Sequence, residues 1–188
     1  MQTSIIIAGF GGQGVLFAGQ LLAHAALDAD KHVTWIPSYG PEMRGGTAHC
    51  TVIIGDRPIG SPFAPHPEIV LAMNQPSAVK YAPLLSLDGL LLVNISLSPI
   101  PPTRADVHVI PVDANALAEA AGDIRLANVV MLGALSAVRP VLPPDAIESA
   151  LERYLPERHR HLLEANRTAF HTGMAEAEKG RRDDKMTR

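Results

Sequence analysis

The sequence predicts an α/β domain, a mainly parallel sheet with flanking helices and a helical C-terminal third. Short β-branched runs closed by glycine, proline or asparagine alternate with helix-patterned stretches over the first 113 residues. Beyond Asp113 only helix-patterned stretches remain. Between the first strand and the first helix lies a glycine-rich turn, the join expected where a strand feeds a crossover helix.

The segment "TSIIIAGF" reads as a buried strand, short, β-branched and ended by glycine. "GVLFAGQLLAHAALDAD" then repeats apolar residues at helical spacing through Val15, Leu16, Ala18, Leu22, Ala23 and Ala26. "KHVTWIP" is a second strand, stopped by Pro37 and expected to run parallel to the first in a βαβ unit. The loop "SYGPEMRGG" follows. "TAHCTVIIGDRPIGSP" reads as one long strand with a turn at Gly55-Asp56 and a short return through Pro58-Ile59.

"EIVLAMN" is a further buried strand and "QPSAVKYAPLL" a helix, with Asn74 as its N-cap and Pro76 in its first turn. "GLLLVNIS" and "DVHVIPVD" are strands. "ANALAEAAG", "RLANVVMLGALSAV", "PPDAIESALERYL" and "ERHRHLLEANRTAFHTGMAEAEK" are helical. The third-last of these stretches is apolar almost all round. It is therefore either a core helix or one whose outer face meets another subunit, and Gly133 sits where close helix approach would want it. Residues 1–176 form one expected domain, and the charged stretch 177–188 is expected to fray.

Composition narrows the function classes. The chain has 188 residues, 47% of them hydrophobic and 19% charged, which suits a compact α/β core. A net charge of −3, with 16 Lys and Arg scattered along the chain, offers no basic stripe for nucleic acid. Aromatic residues, at 4%, are too sparse for base-stacking platforms. No apolar run approaches the roughly 18 residues of a membrane span, and the N-terminal stretch lacks the charged start of a signal peptide. The expectation is a cytoplasmic protein with neither nucleic-acid nor membrane partners. Cys50, the one cysteine, excludes an internal disulfide and cannot hold an iron–sulfur cluster, so a buried, inert thiol is expected.

In an open parallel sheet, ligands bind beyond the carboxyl ends of the strands. Gly9, Gly11, Gly12, Gln13 and Gly14 lie at the first such end, with the Gly9-x-Gly11-x-x-Gly14 spacing that seats a pyrophosphate on a helix N-terminus. Ser38, Tyr39, Arg44, Gly45 and Gly46 follow the second strand, where Arg44 adds a cation among flexible backbone donors. Asn74 follows the next core strand. The same glycines could equally serve tight strand–helix packing with no ligand. A nicotinamide dinucleotide also wants a carboxylate at the end of the second strand, where this sequence has Trp35-Ile36-Pro37-Ser38. His159 and His161, two apart on a predicted helix, make a poor metal pair, and no acid/base pair suggests itself. No catalytic residue and no metal site is expected.

With "GFGGQGV" and "SYGPEMRGGTAHCTVII" in the right order and at the right separation, the chain resembles the gamma subunit of 2-oxoacid:ferredoxin oxidoreductases, in its second loop most like the 2-oxoglutarate type. "ADVHVIPVD", "ANVVMLGAL" and "NRTAFHTGM" extend the resemblance over most of the chain. It implies a Rossmann-like domain in an enzyme that converts 2-oxoacids to acyl-CoA. Thiamine diphosphate, Mg and the iron–sulfur clusters would sit on alpha, beta and ferredoxin-like delta partners, and ferredoxin would be reached through the complex. It links this domain to coenzyme A, as substrate, with Gly9 to Gly14 as the first loop and Ser38 to Gly46 as the second, and either loop could instead be an intersubunit contact. Two other readings stand beside it: a freestanding Rossmann-type oxidoreductase and a purely architectural subunit.

Overall fold

The computed structural model describes residues 2–38 and 47–186, with side chains to residue 179. Six strands, β1 (Gln2–Phe10), β2 (His32–Ser38), β3 (Thr47–Gly55), β4 (Ile69–Ala72), β5 (Gly89–Asn94) and β6 (Val107–Val112), form one sheet in the order β2-β3-β1-β4-β5-β6. The helices are α1 (Val15–Asp28), α2 (Gln75–Tyr81), α3 (Ala114–Ala120), α4 (Ala127–Val138), α5 (Pro144–Tyr154) and α6 (Leu163–Met186). Three 3₁₀ segments, Ala82–Leu84, Ile124–Leu126 and Glu157–Leu162, link them.

Pairs β1–β4, β4–β5 and β5–β6 are parallel. β3 is antiparallel to both β1 and β2, so β1 and β2 run the same way, as a βαβ unit requires, but β3 is inserted between them. The physical reason is connection length. The crossover through α1 returns β2 in β1's direction, whereas the short link from β2 to β3 permits only an antiparallel neighbour. Two further expectations are corrected. β2 continues through Pro37 to Ser38, because it is an edge strand and a missing N–H there leaves no ladder bond unmade. Pro58 and Ile59 form no return strand.

Alternation along β1 divides the core. Ile5 and Ile7 point to a layer holding residues of α1, α3, α4, α5 and α6, while Ile6 and Ala8 point to a smaller cluster closed by α2 and the 82–84 segment. Full burial of Leu21 and Leu22 on α1 contributes about 2 kcal/mol each. Every residue of α4 from Ala127 to Ser136 is buried within this chain. It is a core helix, and the alternative of an outer face reserved for another subunit falls away.

α4 meets α6 through a pair of glycines. A Cβ on Gly133 would lie 1.9 Å from the Phe170 carbonyl oxygen, and one on Gly173 2.0 Å from that of Val130. Gly133 is where the sequence pointed; Gly173 is its unannounced counterpart. α6 is helical to Met186, through the stretch from Ala177 expected to fray.

Candidate functional site

β1 delivers the chain to the carboxyl edge of the sheet, where Phe10 is followed by a turn closed by Gln13 N donating to Phe10 O at 3.2 Å. Gly12 and Gly14 hold φ of +93° and +70°, conformations that L side chains avoid. Gly14 is the N-cap of α1. No side chain caps that end and no acidic residue occupies the first turn, so no side chain of the turn satisfies its N–H groups or the positive end of the helix dipole.

Gln13 and Asn74, both expected as ligand contacts, are brought together. Gln13 Oε1 accepts from Phe10 N at 2.6 Å and from Asn74 Nδ2 at 2.8 Å, and its Nε2 donates to Met73 O at 3.3 Å. Asn74, 1% exposed, caps α2 by accepting from Ser77 N at 3.0 Å. The two amides therefore fasten the glycine turn to the ends of β4 and α2. Gly9 makes room for this bracing, since a Cβ there would lie 2.7 Å from Gln13 Oε1. Gly11 and Gly12 are exposed at the tip of the turn. Ser38, also exposed, ends β2 opposite His49 at the same sheet edge. Tyr39, Arg44, Gly45 and Gly46 lie outside the described residues, and with them most of the second loop.

Three further asparagines extend the framework. Asn128, at the start of α4, donates to Gly14 O at 3.0 Å across 114 residues of chain. Asn94, at the end of β5, donates to Met73 O at 3.3 Å and to Asn115 Oδ1 at 2.9 Å. Its Oδ1 accepts from Ala114 N at 3.2 Å and Ser96 N at 3.2 Å. Asn166, 2% exposed, donates to Leu162 O at 2.8 Å. Their signal was only position: polar residues at strand ends or in helices that are otherwise apolar.

Beside the turn opens a cavity of about 320 Å³. Gly12, Gly14 and Phe17 form one side, and the 3₁₀ segments before α4 and α6 the other. Arg125, Arg158 and His159 bring cationic and imidazole groups to its edge. Asp123 answers Arg125 with a two-point pair, Nε and the terminal nitrogen lying 2.9 and 2.5 Å from Oδ2, and this keeps the carboxyl below its ordinary range. A larger cavity, about 650 Å³, lies at the opposite end of the sheet. Its cations are already engaged: Lys31 pairs with Asp56 at 2.6 Å, and Arg139 donates to Asp88 O at 3.0 Å. The smaller cavity, next to uncapped amides, is the better anion site.

Cys50 is fully buried, its Sγ 3.4 Å from Val15 O, and burial pushes the thiol up to about 12. A thiol held protonated is neither a nucleophile nor a metal ligand at neutral pH. Among the described residues no three His, Cys, Asp or Glu side chains gather as a metal site, and no helix is long and apolar enough to cross a membrane.

Comparison with known proteins places relatives around this geometry. The family model "Pyruvate ferredoxin/flavodoxin oxidoreductase" matches residues 4–176. Ketoisovalerate oxidoreductase subunit VorA of Methanothermobacter thermautotrophicus is 39% identical over 73% of the chain, which spans only 28% of that relative's length. 2-Oxoglutarate synthase subunit KorC of Methanocaldococcus jannaschii is 34% identical, with 92% of each chain covered. Among solved structures, the gamma subunit of a keto/oxoacid ferredoxin oxidoreductase from Geobacter sulfurreducens is 32% identical. It superposes with a TM-score of 0.84 over 96% of this chain and 98% of its own.

Proposed function

The chain belongs to the pyruvate ferredoxin/flavodoxin oxidoreductase family, and from that premise we propose that it is the gamma subunit of a 2-oxoacid:ferredoxin oxidoreductase. Its contribution is to complete the assembly and to hold coenzyme A. The complex oxidatively decarboxylates a 2-oxoacid to the acyl-CoA and passes electrons to ferredoxin. Likeness to KorC over nearly the whole of both chains supports 2-oxoglutarate as the acid.

The observation that carries the CoA part is the uncapped start of α1 under a glycine turn, next to a cavity edged by Arg125 and Arg158. A phosphate there meets backbone donors, a helix dipole and guanidinium groups together. The chain's own residues do not fit the redox groups. Its one cysteine is buried and protonated and so cannot hold an iron–sulfur cluster, and the family resemblance implies that thiamine diphosphate, Mg and those clusters sit on alpha, beta and delta partners. A nicotinamide site is disfavoured by β2, which ends in Pro37-Ser38 with no carboxylate for a ribose.

One observation favours the architectural alternative. Gln13 Oε1 already takes the Phe10 N–H, so part of the turn's donor set is used internally. Kinetics on the assembled enzyme separates the readings. Arg44→Ala raises the KM for CoA if the second loop cradles it, and leaves the KM unchanged if the loops only join subunits. The first experiment is an anaerobic pull-down of the tagged chain from its own host. The eluate is assayed for CoA-dependent viologen reduction with 2-oxoglutarate, pyruvate and branched 2-oxoacids. Recovery of thiamine-diphosphate and iron–sulfur subunits with 2-oxoglutarate activity is expected. A chain that elutes alone and binds NADH or FMN tightly would instead make it a freestanding oxidoreductase.

A further inference from the structure

We infer that the α2 side of the sheet, floored by β2 and β3, is where a larger partner chain docks; this rests on the gamma-subunit reading above. That partner is the counterpart of the segment that VorA carries beyond the stretch this chain matches.

The two sides of the sheet are closed unequally. Residues of α1, α3, α4, α5 and α6 pack on one side, whereas the buried cluster on the other holds only α2 and the 82–84 segment. Seven residues make a helix roughly 10 Å long, enough for about two strands at a spacing of about 4.8 Å. The cluster accordingly takes its sheet residues from β1, β4 and β5, with Val107 and Val109 of β6 at its margin, and none from β2 or β3. Register turns those two strands to the same side, because Thr51 pairs with both Ile6 and Ile36. Ile6 is buried in the α2 cluster, Thr51 is partly exposed and Ile36 is exposed.

This floor carries no Lys, Arg, Asp or Glu, since none occurs in His32–Ser38 or Thr47–Gly55. β2 is an edge strand, and edges left to solvent are ordinarily guarded by charges, whereas the core of an interface is depleted of them. Apolar side chains continue across α2. Val79 is 57% exposed on its outer side. Gln75 ties the exposed Leu97 and Ile100 to its start, with N donating to Leu97 O at 2.9 Å and Nε2 to Ile100 O at 2.7 Å. At the end of α2, Tyr81 is 4% exposed beside His49 of the floor, ring centroids 5.3 Å apart, and its hydroxyl has no hydrogen-bond partner among the described residues. A buried hydroxyl left so costs stability until a polar group reaches it.

The matched stretch is 28% of VorA, so there a domain like this one is joined to a much larger body. With helices closing the other side, the α2 side is the one left for such a body to meet. Strands of seven and nine residues are about 25 Å long, and with the α2 flank the face is roughly 20 Å across. That gives on the order of 500 Å², a large part of the ~800 Å² that each partner contributes to a standard interface. Lys80 lies over the Tyr81 ring at 5.0 Å and has no acidic partner among the described residues, so the fitting surface is apolar with a carboxylate set to meet it. A second copy meeting it face to face brings the same acid-free floor and cannot supply that group.

Anaerobic pull-down of the tagged full chain from its own host tests this, reading how much of the chain that matches the rest of VorA is recovered per tagged chain. Ile36→Glu is expected to cut recovery about tenfold, and Val79→Glu and Lys80→Glu about fivefold each. Leu27→Glu, at an exposed position of α1 on the opposite side, is expected to match wild type. All four residues are exposed, so the urea midpoints of the purified variants are expected to stay at the wild-type value. If Ile36→Glu alone lowers the midpoint, the other two variants decide. Recovery at the wild-type level with Ile36→Glu, Val79→Glu and Lys80→Glu overturns the assignment of the face and leaves the gamma-subunit reading standing. Recovery lost only with Leu27→Glu, or a tagged chain that brings down only a second copy of itself through this face, overturns it as well. A wild-type chain that recovers no thiamine-diphosphate or iron–sulfur subunit removes the gamma-subunit reading, and the docking face with it.

Discussion

A Cβ built on Gly12 meets nothing within 4 Å, whereas one built on Gly133 would sit 1.9 Å from a backbone carbonyl oxygen. Both glycines stand out in the sequence, and they serve opposite ends. In the turn, Gly12 and Gly14 adopt positive φ at the start of α1, which no side chain caps. Between α4 and α6, Gly133 and Gly173 let two backbones touch inside the core. Gly12 leaves open space at the tip of the turn, while Gly14 beneath it packs against Asn128. The α4–α6 pair leaves no room at all. A glycine in a sequence reports that a side chain is unwelcome, and only the surroundings say whether the reason is conformation or contact.

Substitution separates the two cases. Gly133→Ala should have the largest effect, because neither the Phe170 carbonyl nor α6 can withdraw without opening the core. A loss of about 3 kcal/mol in urea unfolding is expected, and Gly173→Ala should behave alike. A loss below about 1 kcal/mol would show that the helices reseat easily and that the contrast with the turn is overdrawn.

Gly14→Ala should come next, at about 2 kcal/mol, since it combines positive φ with a Cβ placed 2.4 Å from Asn128 Nδ2. Joined to Asn128→Ala, it should recover part of that loss, giving a favourable coupling in a double-mutant cycle. Gly12→Ala carries backbone strain alone, about 1 kcal/mol, and should be additive with Asn128→Ala. Coupling at Gly12 would mean that the tip of the turn is as crowded as its base.

The smallest effect concerns Cys50, which lies under α1 where a Cβ on Gly19 would meet its sulfur at 2.3 Å. A folded-state value near 12 against an ordinary 9 means that the folded chain retains the proton longer. The associated stability is complete below pH 9 and is lost as pH climbs toward 12, about 1 kcal/mol by pH 10. Urea midpoints at pH 8 and pH 10 should therefore fall less for Cys50→Ala than for wild type. Equal falls would place the thiol in a more polar setting than its burial indicates.

Much of the fold was legible because local patterns suffice for it. β4 and β5 announced themselves as continuous apolar runs and Asn74 as a cap, while α4's lack of a polar side marked it as buried or partnered. The insertion of β3 between β1 and β2 was not legible, since strand order depends on which edges remain free after α1 packs, not on any single run. Pro37 misled for a related reason. Its tolerance depends on β2 being an edge, and an edge is a property of the sheet.

The same division runs through the site. By itself, the sequence determined that the turn is glycine-rich, that it opens a helix, that the chain has a single cysteine and that β2 lacks the nicotinamide carboxylate. Backbone conformation and composition are local quantities, and the order of residues carries them. Tertiary structure alone decided that Gln13 and Asn74 brace each other and that Asn128 reaches back to Gly14. Those meetings join residues tens of positions apart, and such proximity follows from how helices close over a sheet, which no local pattern encodes.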